Sequence, residues 1–171
     1  MPKISSKANK NRYQQIREKL ELSREAASEL LEWMSPERIE RIENEKSEPT
    51  AEEVVQMADK YKTPSLCNYF CANQCKIGQR YVPEIKIKDL SQIVLEMLAS
   101  LNSMNKRRER LIEITADGEI DTDEIEDFIY IQDELERISV TVETLQLWSE
   151  KMLANGIIDR EKYLLCRKKK Q

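Results

Sequence analysis

Histidine is absent from the 171-residue chain, and glycine is scarce, with only 3 residues. Without histidine the chain lacks the most common catalytic base and the most common metal ligand, which excludes Ser-His, Cys-His and histidine-metal chemistry. With 3 Gly and 5 Pro it also has few residues for the many tight turns of a sheet protein. We therefore expect an all-α protein that is not an enzyme.

Long apolar runs are missing as well. No segment approaches the roughly 18 consecutive apolar residues of a membrane helix, and residues 1–11 lack the apolar core of a signal peptide. Three of the 4 cysteines crowd into residues 67–75, which does not resemble the disulfide framework of a secreted protein. These absences predict a cytoplasmic protein that has no membrane partner.

The charges are distributed unevenly along a chain whose net charge is -4. Residues 1–24 hold seven basic and two acidic side chains, a local net charge of +5, whereas residues 111–136 contain many acids and no Lys or Arg. A basic arm can lie along phosphates, while an acidic stretch is repelled by them. We expect DNA contacts from the N-terminal part, and a protein partner for the acidic C-terminal half.

Several short helices are predicted within the first seventy-odd residues. Ser23, Ser35 and Thr50 stand at N-cap positions ahead of apolar residues with helical spacing. Pro36 then occupies the first helical position, where proline is common. A helix from Arg12 and a short one opened by residues 63–65 bring the total to five helices, the second and third joined by a three-residue turn. This is the pattern of a DNA-binding helix-turn-helix.

Three segments carry a resemblance to a known family: Leu22–Glu25, then Leu31 with Arg38–Asn44, and Pro49. They resemble the Cro and phage-repressor (XRE) family over residues 12–72. The resemblance implies a lambda-repressor-like domain of five helices, whose third helix reads the major groove of double-stranded DNA while the start of the second docks on the backbone. It also implies a phosphate contact for Arg24. The groove-facing candidates that it implies are Ser35, Glu37, Arg38 and Arg41.

Two features of the segment depart from the family pattern. The usual glycine-containing turn is replaced by residues 32–34, Glu-Trp-Met, and the third helix carries Glu37, Glu40 and Glu43 beside only two arginines. A carboxylate can accept a hydrogen bond from cytosine N4, but it is also repelled by phosphate. The sequence thus leaves two functions open: a sequence-specific DNA-binding transcriptional regulator, or a protein-interaction adaptor that retains a degenerate helix-turn-helix.

Cys67, Cys71 and Cys75 recur every four residues. On a straight helix the outer two would lie about 12 Å apart, too far for one zinc ion that needs each sulfur within about 2.3 Å. A metal site therefore requires a helix break near residues 73–74, with Cys166 as a fourth ligand. We expect no cofactor and small buried core residues here. The alternative is a zinc or iron-sulfur site that senses metal or redox state.

Two apolar stripes follow in the second half of the chain. From Asp89 to Leu111, and again from Phe128 to Met152, apolar residues recur at alternating spacings of three and four, which predicts two long amphipathic helices. The turn at Thr115–Asp121 is followed by acids that favour a helix start, so the pair should form a long antiparallel hairpin. The stripes carry more apolar positions than two helices bury, which favours a homodimer, in the manner of a coiled coil.

These patterns divide the chain into three parts. Residues 1–75 are expected to form the helix-turn-helix DNA-binding domain with its basic N-terminal arm. Residues 76–88 are expected to be a linker, and residues 89–171 a helical hairpin for dimerisation or for sensing a partner.

Overall fold

The computed structural model describes residues 10–116 and 118–169. Every regular element within those ranges is a helix, which confirms the predicted all-α fold class. The chain forms two compact units. One holds the described residues up to Glu84 together with those from Glu150 onward, and the other holds Ile85–Ser149.

Five helices build the N-terminal part of the first unit, as the sequence predicts. They are α1 Arg12–Lys19, α2 Arg24–Leu31, α3 Pro36–Glu43, α4 Ala51–Lys60 and α5 Ser65–Asn73. The predicted caps are confirmed: the side chains of Ser23, Ser35 and Thr50 accept hydrogen bonds from the first-turn backbone N–H groups of α2, α3 and α4. Because α2 ends at Leu31 and Ser35 caps α3, the predicted three-residue turn is confirmed too.

One hydrophobic core joins these helices. Its buried residues come from all five helices and from the turn: Tyr13, Ile16, Ala27, Leu31, Met34, Ile39, Ile42, Val54, Met57, Ala58, Tyr61 and Leu66. Burial of this apolar surface is the main force that holds five short helices in place, since helices of eight to ten residues are marginal alone.

The scarcity of glycine shows at the helix ends. One residue shortly after the end of each of the first four helices adopts a positive φ angle, between 52° and 66°. These residues are, in chain order, Glu21, Glu32, Glu45 and Lys62. Glycine is the usual residue at such positions because a Cβ atom is strained there. Glu32, with φ of 66°, therefore makes the turn that glycine makes in the family pattern.

The segment predicted as a linker, residues 76–88, is partly helical. A short helix, α6 Gly78–Tyr81, follows the three cysteines. Gly78 packs against α5 so closely that a Cβ atom at this position would collide with the carbonyl of Cys71. The absence of a side chain at Gly78 thus lets the backbone of α6 pack directly on the backbone of α5.

The second unit is built by α7 Leu90–Lys106, α8 Arg108–Ile114 and the greater part of α9 Ile125–Ala154. The Ser103 hydroxyl bonds that of Tyr130 at 2.5 Å, and Arg110 Nε donates to Asp127 Oδ2 at 2.7 Å. Residues later in the first arm thus contact residues earlier in α9. This order confirms the antiparallel hairpin.

The first arm of the hairpin differs from the single helix predicted through Leu111. It breaks at Arg107, whose backbone leaves the helical region with φ of -112° and ψ of 11°. The side chain explains the break, because its guanidinium lies 4.0 Å from the ring centroid of Tyr130 and its Nη1 donates to Asp127 at 3.1 Å. The expectation of one uninterrupted helix was wrong at this residue.

The end of the chain forms α10 Arg160–Lys168, which Asp159 caps by accepting a hydrogen bond from the N–H of Lys162. Residues from Glu150 onward group with the first unit, whereas we predicted them in the hairpin domain. The functional division into domains stays a prediction. Lys3 and Lys7 of the basic arm, and Asp117 of the hairpin turn, lie outside the described residues. No helix within residues 10–116 and 118–169 has the length and apolarity of a membrane span.

Candidate nucleic-acid interface

Helix α3 has a buried side and an exposed side. Ile39, Ile42 and Glu43 face the interior, and the first two belong to the core shared with α2 and α4. Ser35, Glu37 and Arg41 are exposed. Three of the four predicted groove-facing residues therefore lie on the solvent side of α3.

Arg41 is the exposed cation of this helix. Its guanidinium makes no hydrogen bond or ion pair with any residue that the structure describes. Guanidinium groups bind guanine O6 and N7 or phosphate through two parallel hydrogen bonds. Arg41 is thus available to an external acceptor.

Glu37 lies in the first turn of α3 beside its N-cap. Hydrogen bonds to its carboxylate from backbone N–H and from Ser35 hold the pKa of Glu37 below its usual value, while the nearby carboxylate of Glu25 acts in the opposite direction. Both carboxylates therefore sit on the side of the helix pair that carries Arg41. The exposed surface here thus carries two carboxylates beside Arg41, with the partly exposed Arg24 next to Glu25.

Arg38 is occupied within the protein. Its guanidinium donates to both carboxylate oxygens of Glu53, at 2.7 and 2.6 Å, to Ser47 Oγ at 2.6 Å and to the carbonyl of Glu48 at 2.9 Å. The hydrogen bond to Arg38 holds the pKa of Glu53 below its usual value, against the effect of burial. Arg38 thus ties α3 to the loop before α4 and to the first turn of α4.

Arg24, the predicted phosphate contact, is the first residue of α2 and is partly exposed. Its Nε donates to Glu43 Oε2 at 2.9 Å. Glu43 also accepts from Arg17, whose Nη2 lies 2.9 Å from the same oxygen, and Arg17 Nη1 in turn donates to the carbonyl of Leu22. The buried carboxylate therefore orients two guanidinium groups, and no described residue accepts from the Nη atoms of Arg24.

Comparison with known proteins identifies this part of the chain. Residues 14–65 match the family model described as Helix-turn-helix. They are a helix-turn-helix domain of the Cro and phage-repressor type. The chain therefore carries a DNA-binding regulatory domain, and no curated protein or solved structure matches it.

Besides Glu53, which pairs with Arg38, the helix-turn-helix domain contains a buried ion pair that was not predicted from the sequence, between Arg17 and Glu43. A sequence signal for it exists. Arg17 lies four residues after the buried Tyr13, and Glu43 four residues after the buried Ile39, so opposite charges occupy the inward faces of two helices. Charged residues on inward faces indicate pairing, because an unpaired buried charge is costly.

The cysteines lie at the end of the helix-turn-helix domain. Helix α5 ends at Asn73, where the metal-site alternative requires a break, and Cys75 lies beyond it, with its sulfur 3.4 Å from the N–H of Gly78. Within the described residues no group of three or more His, Cys, Asp or Glu side chains could hold a metal ion. Burial, helped by nearby carboxylates, raises the pKa of Cys67, which disfavours the reactive thiolate.

Proposed function

We propose that the protein is a sequence-specific transcriptional regulator of double-stranded DNA, with α3 in the major groove and no enzymatic activity. The observation that supports this most directly is Arg41, an exposed guanidinium on the outer face of α3 that has no partner among the described residues. Ser35 and Glu37 flank the same face. A bidentate contact from one arginine to guanine is worth about 1–3 kcal/mol of discrimination.

Arg24 supports the same docking. It stands at the start of α2, where the family binds phosphate, and Glu43 holds its Nε while its Nη atoms stay free of described acceptors. A fixed guanidinium loses less conformational entropy when it binds phosphate. We assign Arg24 to phosphate, and Arg38 to support of α3, because contact with DNA would require Arg38 to leave four internal hydrogen bonds.

The proposal includes a homodimer through the hairpin unit. Four apolar residues lie on one face of α7 and are at least 41% exposed: Leu90, Val94, Leu98 and Leu101. Two apolar residues of α9, Leu135 and Val142, are at least 40% exposed. In both helices these residues are rotated by about 100° around the helix axis from the buried side, in the same direction when each helix is viewed from its N-terminus. Because the two helices run antiparallel, both sets of residues then face the same side of the hairpin.

The interior of the hairpin includes four buried polar side chains beside four buried apolar ones: Ser100, Glu134, Thr141 and Thr144, with Ile93, Ile114, Ile131 and Leu147. The leucines and valines named above remain open to solvent. Monomeric proteins rarely expose a contiguous apolar patch larger than a few hundred Å². A second copy that packs on this side would complete a four-helix bundle, and it would present two α3 helices to a two-fold operator.

The test is selection from a random duplex pool, with wild type, Arg41→Ala, Arg24→Ala and Arg108→Ala. Arg108 is exposed in α8 and serves as a control for the loss of one cation. We expect wild type and Arg108→Ala to enrich a two-fold motif, Arg41→Ala to lose preference at one base pair per half-site, and Arg24→Ala to weaken all sequences equally. No enrichment and no salt-dependent binding would contradict the proposal.

A protein-interaction adaptor is the second candidate. The acidic side chains around Arg41, together with the internal use of Arg38, favour it, because few cations remain on α3 to meet phosphate. Retention of a protein partner by a chain that binds no duplex at low salt would support this function. A partner on the acidic hairpin, a cytoplasmic location and a cysteine-based metal or redox site remain predictions. Metal analysis of anaerobically purified protein tests the last.

A further inference from the structure

A cleft in the first unit has no role in DNA binding as proposed above. It encloses about 710 Å³ between the end of α4 and Pro64 on one side, and the last turn of α9 with α10 on the other. Ligand pockets in proteins commonly measure about 300–1,000 Å³. The cleft is therefore large enough for a small organic molecule.

The walls of the cleft are fastened to each other. The side-chain amide of Asn155, just after α9, donates to the carbonyl of Lys151 at 2.8 Å and to that of Lys62 at 3.4 Å. Lys62 itself follows α4 in a left-handed conformation, with φ of 52°. Asn155 thus bridges the end of α9 to the end of α4.

Three cations line the cleft: Lys62, Arg160 and Arg167. None of them has an ion-pair or side-chain hydrogen-bond partner in the described part of the chain. Two carboxylates, Asp59 and Glu150, also line it. Those two carboxylates also help raise the pKa of Cys67, after burial as the main cause.

The face that α10 turns to the cleft has a regular pattern. Arg160, Tyr163, Leu164 and Arg167 are spaced at i, i+3, i+4 and i+7, so that two arginines flank an aromatic and an aliphatic side chain. Ala58, Leu153 and Ala154 supply apolar surface as well. The lining thus combines apolar surface with three basic and two acidic side chains, a net charge of +1.

Helix α10 itself is underpacked. None of its nine described residues is buried, and Leu164 is 47% exposed. Isolated helices shorter than about 12–15 residues are marginal in water, so α10 gains little stability from the contacts it makes in the structure. An occupant of the cleft would cover its Tyr163 and Leu164.

We propose that this cleft binds a small organic anion with an apolar body, such as an arylalkyl carboxylate. The carboxylate lies between Lys62, Arg160 and Arg167, and the apolar body lies against Leu153, Tyr163 and Leu164. The lining carries three unpartnered cations against the carboxylates of Asp59 and Glu150, and this net positive charge favours an anionic occupant over a neutral or cationic one. Binding orders α10 against the end of α4. The site contains no residue of α3, so ligand binding can be tested separately from DNA recognition.

The test uses three probes with one body and different head groups: 4-phenylbutyrate, 4-phenylbutanol and 4-phenylbutylammonium. Isothermal titration calorimetry of the full chain should give saturable binding of the butyrate, with a dissociation constant on the order of 1 mM or below. The other two probes should bind at least about tenfold more weakly. Amide exchange in α10 should slow on addition of the butyrate.

Two matched pairs of variants locate the site. Arg160→Gln with Arg167→Gln, and separately Leu164→Gln, should weaken butyrate binding about tenfold. Arg108→Gln, and Leu165→Gln on the same helix but outside the cleft lining, should leave it unchanged. Circular dichroism checks that each variant folds.

Three outcomes would overturn the proposal. The first is equal binding of all three probes, which would indicate that only the apolar body of the probe contributes to binding. The second is no binding by a folded wild-type chain. The third is protection of α10 that rises with protein concentration in the absence of any probe, which would assign this face to a second copy.

Discussion

Arg38 of α3 and Glu53 of α4 form a two-point ion pair, with Nε–Oε1 and Nη2–Oε2 distances of 2.7 and 2.6 Å. The same carboxylate accepts from the backbone N–H of Thr50 at 2.7 Å, so the pair also completes the N-terminal cap of α4. Through this pair, a helix that presents residues to solvent is fixed to the core.

Replacement of Arg38 by alanine should destabilise the fold. The substitution leaves the buried carboxylate of Glu53 without its cation, a loss of about 1–3 kcal/mol in the free energy of unfolding. Arg41→Ala removes an exposed side chain without a described partner and should change that free energy by less than about 0.5 kcal/mol. Urea denaturation followed by circular dichroism measures both. Equal losses for the two variants would contradict the assigned roles.

The ion pair also predicts a dependence on pH. The folded protein holds the pKa of Glu53 below its usual value, chiefly through the hydrogen bond to Arg38. This contribution to stability is therefore complete above the unfolded pKa of about 4.3, and it is lost as pH falls through the lower folded pKa. Between about pH 6 and pH 3, the free energy of unfolding should fall less steeply with decreasing pH in Arg38→Ala than in wild type. Parallel curves would argue against the pair.

Glu21 offers a test of the strained helix ends. Its φ of 59° is unfavourable for a residue with a Cβ atom, so Glu21→Gly should raise the free energy of unfolding by about 0.5–1 kcal/mol. Glu29 is also exposed but lies inside α2, where glycine should cost about 1 kcal/mol. Thermal unfolding of the two variants should shift in opposite directions. A lowered melting temperature for Glu21→Gly would refute the argument from backbone strain.

Removal of the carboxylate from Glu37 should strengthen binding to duplex DNA. Glu37 is exposed on the face of α3 that carries Arg41, and its charge repels phosphate. We expect Glu37→Gln to bind random-sequence duplex a few fold more tightly at about 50 mM salt, with a smaller gain at about 200 mM. Fluorescence anisotropy measures this, with Glu109→Gln in α8 as a control. An unchanged affinity would place Glu37 away from the phosphates.

Polar substitutions on the open side of the hairpin should dissociate the dimer. Leu98 and Leu135 are 52% and 51% exposed, so their joint replacement by glutamine removes apolar contact area from the proposed interface without emptying the interior. Sedimentation equilibrium should show a dimer for wild type and a monomer for the double variant. Ile77→Gln, at a residue that is 72% exposed outside the hairpin, should remain dimeric. A monomeric wild type would exclude this interface.

Local sequence patterns were sufficient to predict the fold class and most helix starts. Ser23, Ser35 and Thr50 each cap the helix that follows, because a cap depends on a side chain and on backbone groups two or three residues away. The spacing of apolar residues likewise marked the buried faces, since helical periodicity is a property of neighbouring residues. These features are local, so the sequence by itself determined them.

Only the tertiary structure decided which charged residues are free. Arg38 and Arg41 are three residues apart on one helix and indistinguishable by type, yet Arg38 meets Glu53 while Arg41 meets no described partner. Likewise the break at Arg107 depends on Tyr130 and Asp127 of a different helix. Such pairings join residues distant in the chain, and their geometry depends on how the helices pack. Local propensity carries no information on that packing.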